Sequence, residues 1–275
     1  MTQGILHSDP TSVAVNGIKI VYDTFGEPSA SPLVLIAGLG QQMIGWEDEF
    51  CAELAARGYR VIRFDNRDVG LSTKFDEAGI PSIVELMQAR MQGKAIRVPY
   101  LLRDMEDDAV GLLEAIGVES AHVVGVSMGG MIAQEMVIHY PERVRTMTSM
   151  MSTTGNPELS PPAPEAASIL VTPVPTDREE YVEYSVQIWR VLGGPAYPED
   201  VDRVKERAGR AFDRGLSPEG TARQLAAVLA SGSRKEALRS VTVPALVIHG
   251  DADPLVPVEG GIETADAIPG AERLI

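Results

Sequence analysis

The sequence lacks the cysteine pairs of a disulfide scaffold and the long apolar runs of a membrane span. Cys51 is the only cysteine among 275 residues, which excludes an intrachain disulfide and a cysteine-based zinc cluster and favours a reducing compartment. Residues 1–10 lack the basic start and apolar core of a signal peptide, and no run of about 18 apolar residues occurs anywhere. We therefore expect a soluble, cytoplasmic protein with no membrane partner.

Positive charge is also scarce. The chain has 24 lysines and arginines against 39 acidic residues, for a formal net charge of -15. Such a surface repels nucleic acid phosphates and anionic lipid headgroups, so neither is an expected partner. A neutral or cationic small molecule is the expected partner, and the charge leaves the oligomeric state open.

The apolar residues that are present form a regular pattern of strands and helices. Asn16-Gly17 separates two alternating runs, residues 13–15 and 18–25, and predicts an antiparallel hairpin. Continuous apolar strands alternating with helices then predict an α/β protein with a mostly parallel sheet covered on both faces. The predicted strands are residues 33–37, 59–64, 121–124, 144–151, 243–249 and a last one starting at 272.

Residues 152–240 interrupt this alternation. Six prolines between Pro157 and Pro175 predict an extended, helix-poor entry. Three or four helical segments follow, with start signals at Thr176, Ser217 and Ser233. We expect this block to be a helical lid inserted between two parts of one core, residues 1–151 and 241–275.

The most informative motif is Gly125-Val126-Ser127-Met128-Gly129. It follows the predicted strand 121–124 and opens a helical stretch, and this strand-turn-helix context predicts a nucleophile elbow that aims the serine hydroxyl outward. A Cβ at either glycine is expected to collide with the neighbouring strand or helix. The alternative is a glycine-rich turn with a solvated serine.

Four more motifs occur with the elbow in a specific chain order. They are GLGQ at 38–41, WEDEF at 46–50, RFDNRDVGLS at 63–72 and HGDADPLVP at 249–257. Over nearly its whole length the chain resembles the α/β-hydrolase superfamily, and within it the bacterial lidded esterase-like hydrolases that include aclacinomycin methylesterase.

The resemblance implies a catalytic triad in the order serine, acid, histidine. Ser127 matches the nucleophile, which needs a base to take its proton and a carboxylate to orient that base. The position of the acid in the motif matches Asp253, with Asp251 as the nearby competitor; the other aspartate is then a turn residue.

The resemblance also implies an oxyanion hole made by the backbone amides of Leu39 and Met128. Many relatives have His-Gly at the first of these sites, and this chain has Ala37-Gly38 instead. The substitution leaves the backbone donor in place. The side chains of Leu39 and Met128 are expected to be ordinary packing residues.

The general base has no match in the sequence. His7, His122, His139 and His249 all precede the acid in chain order, and each is expected to be structural or exposed; His249 is the best of the four by proximity. We expect the triad histidine beyond residue 275, together with the last strand and helix of the fold.

These features predict a carboxylic ester hydrolase that works in two steps through an acyl-enzyme on Ser127, on a small-molecule ester. No cofactor or metal is expected, since no His-x-x-x-His or clustered ligand pattern occurs. Asp65 and Arg67 are expected to be architectural, as a local ion pair. The alternative from another class is a ligand-binding protein on the same fold, and the fold cannot distinguish esterases from lactonases, haloperoxidase-like proteins or carbon-carbon bond hydrolases.

Overall fold

The centre of the protein is a twisted sheet. The computed structural model describes residues 4–94, 96–198 and 200–275, and in these ranges eight strands form one sheet. The strands are β1 (Thr11–Val15), β2 (Ile18–Phe25), β3 (Ser31–Ile36), β4 (Tyr59–Phe64), β5 (Ala121–Val126), β6 (Val144–Met150), β7 (Ala245–Ile248) and β8 (Glu272–Leu274). Their order across the sheet is β1-β2-β4-β3-β5-β6-β7-β8.

The sheet is antiparallel at one end and parallel through the rest. β1 pairs with β2 and β2 with β4 in antiparallel fashion, while all pairings from β4–β3 to β7–β8 are parallel. Asn16 and Gly17 both have positive φ, 49° and 80°, as the tight turn of a two-residue hairpin requires. The predicted α/β architecture is confirmed.

Helices cover the sheet and fill the long connection between β6 and β7. They are α1 (Asp48–Ala56), α2 (Ile83–Met91), α3 (Leu102–Ala115), α4 (Met128–His139), α5 (Pro164–Ile169), α6 (Arg178–Leu192), α7 (Val201–Gly215), α8 (Pro218–Ala230), α9 (Lys235–Leu238) and α10 (Val258–Ala267). The described part of residues 152–240 therefore has five helices, α5 to α9, where the sequence predicted three or four. α2 was not predicted.

Successive side chains of the central strands point to opposite faces of the sheet, and this produces a hydrophobic core on each face. Val34 and Ile36 of β3 join the cluster that α3 and α4 cover, whereas Leu33 and Leu35 join the cluster on the α1 face. Cys51 of α1 is fully buried in this second core. Burial raises the pKa of its thiol to about 12, so the side chain is a protonated packing residue, as predicted.

The loop after β4 connects the core to the helices of residues 152–240. Asp65 contacts Arg214 of α7 at 2.7 Å, and Arg67 donates to Asp108 of α3 at 2.6 Å. The expectation of a local pair between Asp65 and Arg67 is therefore wrong. Each side chain instead binds a partner from a distant part of the chain, because both leave the same loop toward different layers of the fold.

A third ion pair of the same loop is completely buried. Asp68 accepts two hydrogen bonds from Arg223 of α8, at 2.9 and 2.7 Å, and the two residues are 0% and 1% exposed. The Asp68 carboxylate also accepts from the Tyr100 hydroxyl and the Phe75 amide. This network fixes α8 against the core.

In the part of the chain that the structure describes, none of the helices combines the length and the apolar character that a membrane crossing needs.

Candidate active site

Ser127 occupies the turn between β5 and α4 in a strained backbone conformation. Its φ of 54° and ψ of -118° lie in a region that residues with a Cβ rarely adopt. Four hydrogen bonds hold it there. Its amide donates to the Met150 carbonyl at 2.8 Å, and its carbonyl accepts from the Gly130 amide at 2.9 Å, the Met131 amide at 3.2 Å and the Ser152 hydroxyl at 2.8 Å. The predicted sharp strand-to-helix turn is present.

The two glycines of the motif are required by close backbone approaches. A Cβ on Gly125 would overlap the backbone of Gly129, and a Cβ on Gly129 would overlap the Ile36 carbonyl at the end of β3. Both collisions were predicted. The absence of side chains here brings the first turn of α4, with its N–H groups and positive dipole end, against the end of β3.

A tight turn at residues 38–41 lies directly beside the serine. The Gln41 amide donates to the Gly38 carbonyl at 3.2 Å, and a Cβ placed on Gly38 would stand 3.3 Å from the Ser127 Cβ. The structure thus brings the turn that contains Leu39 close to Ser127, which Met128 of α4 follows directly in the chain. Within the described residues, neither the Leu39 nor the Met128 amide donates to a protein acceptor.

Asp253 lies at the same edge of the sheet as Ser127, in the loop after β7. β6 separates their strands, and two inter-strand spacings correspond to about 10 Å. The Asp253 carboxylate is half-buried, and its Oδ1 accepts from the Leu255 and Val256 amides at 2.9 Å each. Its loop therefore orients the carboxylate, whereas Asp251 is exposed.

The histidines bind other partners. His249 has its Nε2 2.7 Å from the Val256 carbonyl and 3.6 Å from Asp253 Oδ2, and its ring packs so tightly on α10 that a Cβ on Gly261 would overlap it. No described histidine contacts Ser127. The other pairings are His7 with Asp23, His122 with Thr146 and His139 with Glu106.

One group of side chains in the described ranges has the donor set of a metal site. The ligand atoms of Glu106, Glu135 and His139 lie within 4.8 Å of one another. His139 is the last residue of α4, and Ser127 directly precedes the first residue of that helix. The length of the helix therefore puts the group about 18 Å from Ser127, too far to act on the same substrate atoms. This group was not predicted, although the four-residue spacing of Glu135 and His139 on a helix was a signal for it.

Glu106 is a carboxyl in an unfavourable environment. It is fully buried, and burial, followed by the negative charge of Glu135, raises its pKa from 4.5 to about 8. The folded protein therefore binds this proton more tightly than the unfolded chain does. Its stability falls as the pH rises from about 4.5 to about 8.

Glu106→Gln is expected to remove this loss of stability. A pKa shift of this size corresponds to about 5 kcal/mol in the free energy of unfolding. Loss of the charged hydrogen bond with His139 offsets about half of that amount. We therefore expect Glu106→Gln to be more stable than wild type by about 2 kcal/mol at pH 8.5. The gain should disappear below pH 4.5. Urea unfolding across this range measures it, with the exposed Glu114→Gln as control; a Glu106→Gln protein less stable than wild type at pH 8.5 would contradict the assignment.

Comparison with known proteins supports the same fold. Residues 31–275 match the sequence profile of a family described as the alpha/beta hydrolase fold. The chain belongs to the α/β-hydrolase family, which confirms the resemblance seen in its motifs.

Two similar proteins are methylesterases. The chain is 33% identical over 272 residues to rhodomycin D methylesterase DauP of Streptomyces sp. (strain C5), covering 90% of this chain and 83% of that protein. It is 32% identical over 287 residues to rhodomycin D methylesterase DnrP of Streptomyces peucetius, covering 95% and 89%. The crystal structure of the enol-lactonase from Burkholderia xenovorans LB400 superposes with a TM-score of 0.72 at 24% identity, covering 96% of this chain and 90% of that one, a likeness of fold.

Proposed function

We propose that this protein hydrolyses carboxylic esters through a covalent acyl-enzyme on Ser127. The observation that carries the proposal is the strained turn, which places Ser127 directly before the Met128 amide and beside the turn that contains Leu39. Neither of these two amides has a protein acceptor in the described residues. An N–H group without a protein acceptor has to bind water or a ligand, so a site with two of them suits a ligand oxygen. Similarity to two methylesterases supports the same reaction class.

In the proposed reaction, Ser127 Oγ attacks the ester carbonyl carbon while a general base takes its proton. The carbonyl oxygen becomes negative and accepts hydrogen bonds from the Leu39 and Met128 amides, next to the positive end of α4. The base then protonates the departing alcohol. Water attacks the acyl-enzyme in the same way and releases the acid.

Asp253 is proposed as the acid that orients the base. Two amides already fix its Oδ1, which leaves Oδ2 available to accept from an imidazole N–H. The base in this proposal is a histidine that follows the acid in chain order, after residue 275. The support is that the four described histidines bind other groups, and that His249 is held by Val256 and α10.

We assign residues 152–240 as a lid between the core parts 1–151 and 241–275. Its support is the contact of α8 with the turn beside Ser127, where Gln224 accepts a hydrogen bond from the Gly40 amide at 2.8 Å. The substrate is proposed to be a small-molecule ester. Because the two relatives are named as methylesterases, methyl carboxylate esters are the first class to test.

A ligand-binding protein on the same fold is the second candidate. The observation that favours it is that no histidine in the described residues contacts Ser127. Such a protein would bind an ester or be acylated once without turning over.

The two candidates differ in the number of turnovers. The protein as its gene encodes it is incubated with methyl esters of aliphatic and aryl acids, and methanol is counted per protein chain. A fluorophosphonate probe is then added, and the labelled residue is located by mass spectrometry. For the esterase we expect many equivalents of methanol per chain and one probe adduct, on Ser127. One equivalent of methanol or less supports the ligand-binding protein. Turnover with the adduct on another residue contradicts both candidate functions.

A further inference from the structure

Gln224 of α8 is a fully buried side chain that joins two loops of the core. It is 0% exposed. Its Oε1 accepts from the Gly40 amide at 2.8 Å, and its Nε2 donates to the Arg67 carbonyl at 2.8 Å. The residues it joins are 184 and 157 positions away in the chain, so these contacts exist only when α8 is docked on the core.

The Gly40 end of this contact belongs to the turn beside the serine. In the turn 38–41, Gly40 is the third residue and has a φ of 66°. The peptide between Leu39 and Gly40 is the central one, and its rotation distinguishes the common β-turn types. Glycine offers little steric resistance to that rotation. The hydrogen bond from the Gly40 amide to Gln224 therefore holds the central peptide in one orientation.

The peptide between Gly38 and Leu39, which carries the Leu39 N–H, adjoins the central peptide of the turn. Holding the central peptide in one orientation therefore also restricts the orientation of the Leu39 N–H. The first residue of the turn, Gly38, is packed against the Ser127 Cβ, so a rotation in the turn has to be absorbed at Leu39 and Gly40. α8 closes the other side, since a Cβ on Gly40 would stand 2.8 Å from Thr221 Oγ1. The direction of the Leu39 N–H thus depends on contacts made by α8.

We propose that Gln224 is a positioning residue that holds the Leu39 amide in the orientation needed to bind the developing oxyanion. This inference rests on the proposed function and adds to it a dependence of the chemical step on docking of α8. Gln224 does not touch the substrate. It acts through the Gly40 peptide.

The chemistry of the contact restricts which side chains can replace glutamine. One end must accept from an N–H and the other must donate to a carbonyl, and the side-chain amide supplies both. Methionine has a similar length and neither group. An ionised glutamate accepts from Gly40 but directs a second oxygen at the Arg67 carbonyl, whereas a protonated glutamate again offers one acceptor and one donor.

The test compares Gln224→Met, Gln224→Glu and a control, Glu47→Gln. Glu47 forms ion pairs with Arg203 and Arg207 of α7, so its variant weakens the docking of α7 and leaves the contacts of α8 with the turn in place. Kinetics with a methyl ester give kcat and KM, and a trifluoromethyl ketone, which forms a tetrahedral adduct with serine, gives Ki. Hydrogen exchange on the peptide containing Leu39 and Gly40 reports the turn itself.

For Gln224→Met we expect kcat to fall about 10- to 100-fold, with KM changed less than about threefold and the ketone Ki raised by a factor similar to the kcat loss. Exchange at the turn should become faster. For Gln224→Glu we expect kcat relative to wild type to rise as the pH falls, because the neutral carboxyl restores the donor. Glu47→Gln should leave kcat and exchange at the turn near wild type.

Three results would overturn the inference: an unchanged kcat in a folded Gln224→Met, an equal kcat loss in Glu47→Gln, or a loss confined to KM. If Gln224→Met does not fold, a pH-independent ratio for Gln224→Glu overturns it. Failure of the proposed function gives a different result from failure of the inference about Gln224. A wild-type protein that cleaves no ester removes both proposals, whereas turnover that needs Ser127 but not Gln224 removes only this one.

Discussion

Replacing Ser127 by alanine is expected to lower kcat/KM for a methyl carboxylate ester by about 10⁴-fold or more, with substrate binding retained. The alanine lacks the nucleophile, and only the amides of Leu39 and Met128 and the binding surface remain to assist attack by water. The measurement is initial rate against substrate concentration, with circular dichroism to establish folding. A decrease of less than tenfold would remove Ser127 from the mechanism.

The acid assignment is tested in the same assay. Asp253→Asn is expected to lower kcat about 10³- to 10⁴-fold, because the amide no longer stabilises a protonated base in the required orientation. Asp251→Asn is the matched control, since Asp251 lies in the same loop but is exposed, and its kcat should stay within about threefold of wild type. Reversed effects would assign the role to Asp251.

Replacing Arg223 by methionine is expected to destabilise the protein by about 3–5 kcal/mol, because it leaves a buried carboxylate without its partner. Burial of Asp68 opposes its ionisation, but hydrogen bonds, first from Arg223 and then from the Phe75 amide and the Tyr100 hydroxyl, hold its pKa below the ordinary value. The charge is therefore present at neutral pH. Urea unfolding at pH 7 measures the change.

Two further variants show whether burial causes this effect. Arg178→Met breaks an ion pair with Asp213 that is half exposed on both sides and should have a much smaller effect. The double variant Asp68→Asn/Arg223→Met should be more stable than Arg223→Met alone, since no unpaired charge stays buried. Equal destabilisation by Arg178→Met and Arg223→Met would contradict the buried-charge explanation.

The sheet and the elbow were predictable because their signals are local. Continuous apolar runs marked the buried strands, Asn16-Gly17 marked the hairpin, and Ser217 does cap α8 by accepting from the Gly220 amide. The start of α6 was predicted one residue too early, at Thr176. Asp177 accepts from the Glu179 and Glu180 amides in the first turn of that helix instead, since neighbouring Thr and Asp side chains are both able to cap.

The partners of the site residues were not predictable in the same way. Asp65 binds Arg214 and Gln224 binds Gly40 across more than half of the chain, and such pairs depend on how the helices dock on the sheet. α2 was missed for a related reason. Val84 and Met91 are exposed on it, so its apolar residues do not follow one buried face, and periodicity gives a weak signal.

The backbone conformation of residue 127 sets thermal stability against catalytic activity. Its conformation is one that glycine adopts with little penalty and serine adopts at a cost of about 1–3 kcal/mol. A selection for heat resistance alone would therefore favour glycine at this position, and glycine has no hydroxyl. Engineering of this scaffold for higher temperature has to seek its gains elsewhere, at positions where tolerance to heat and reactivity do not compete.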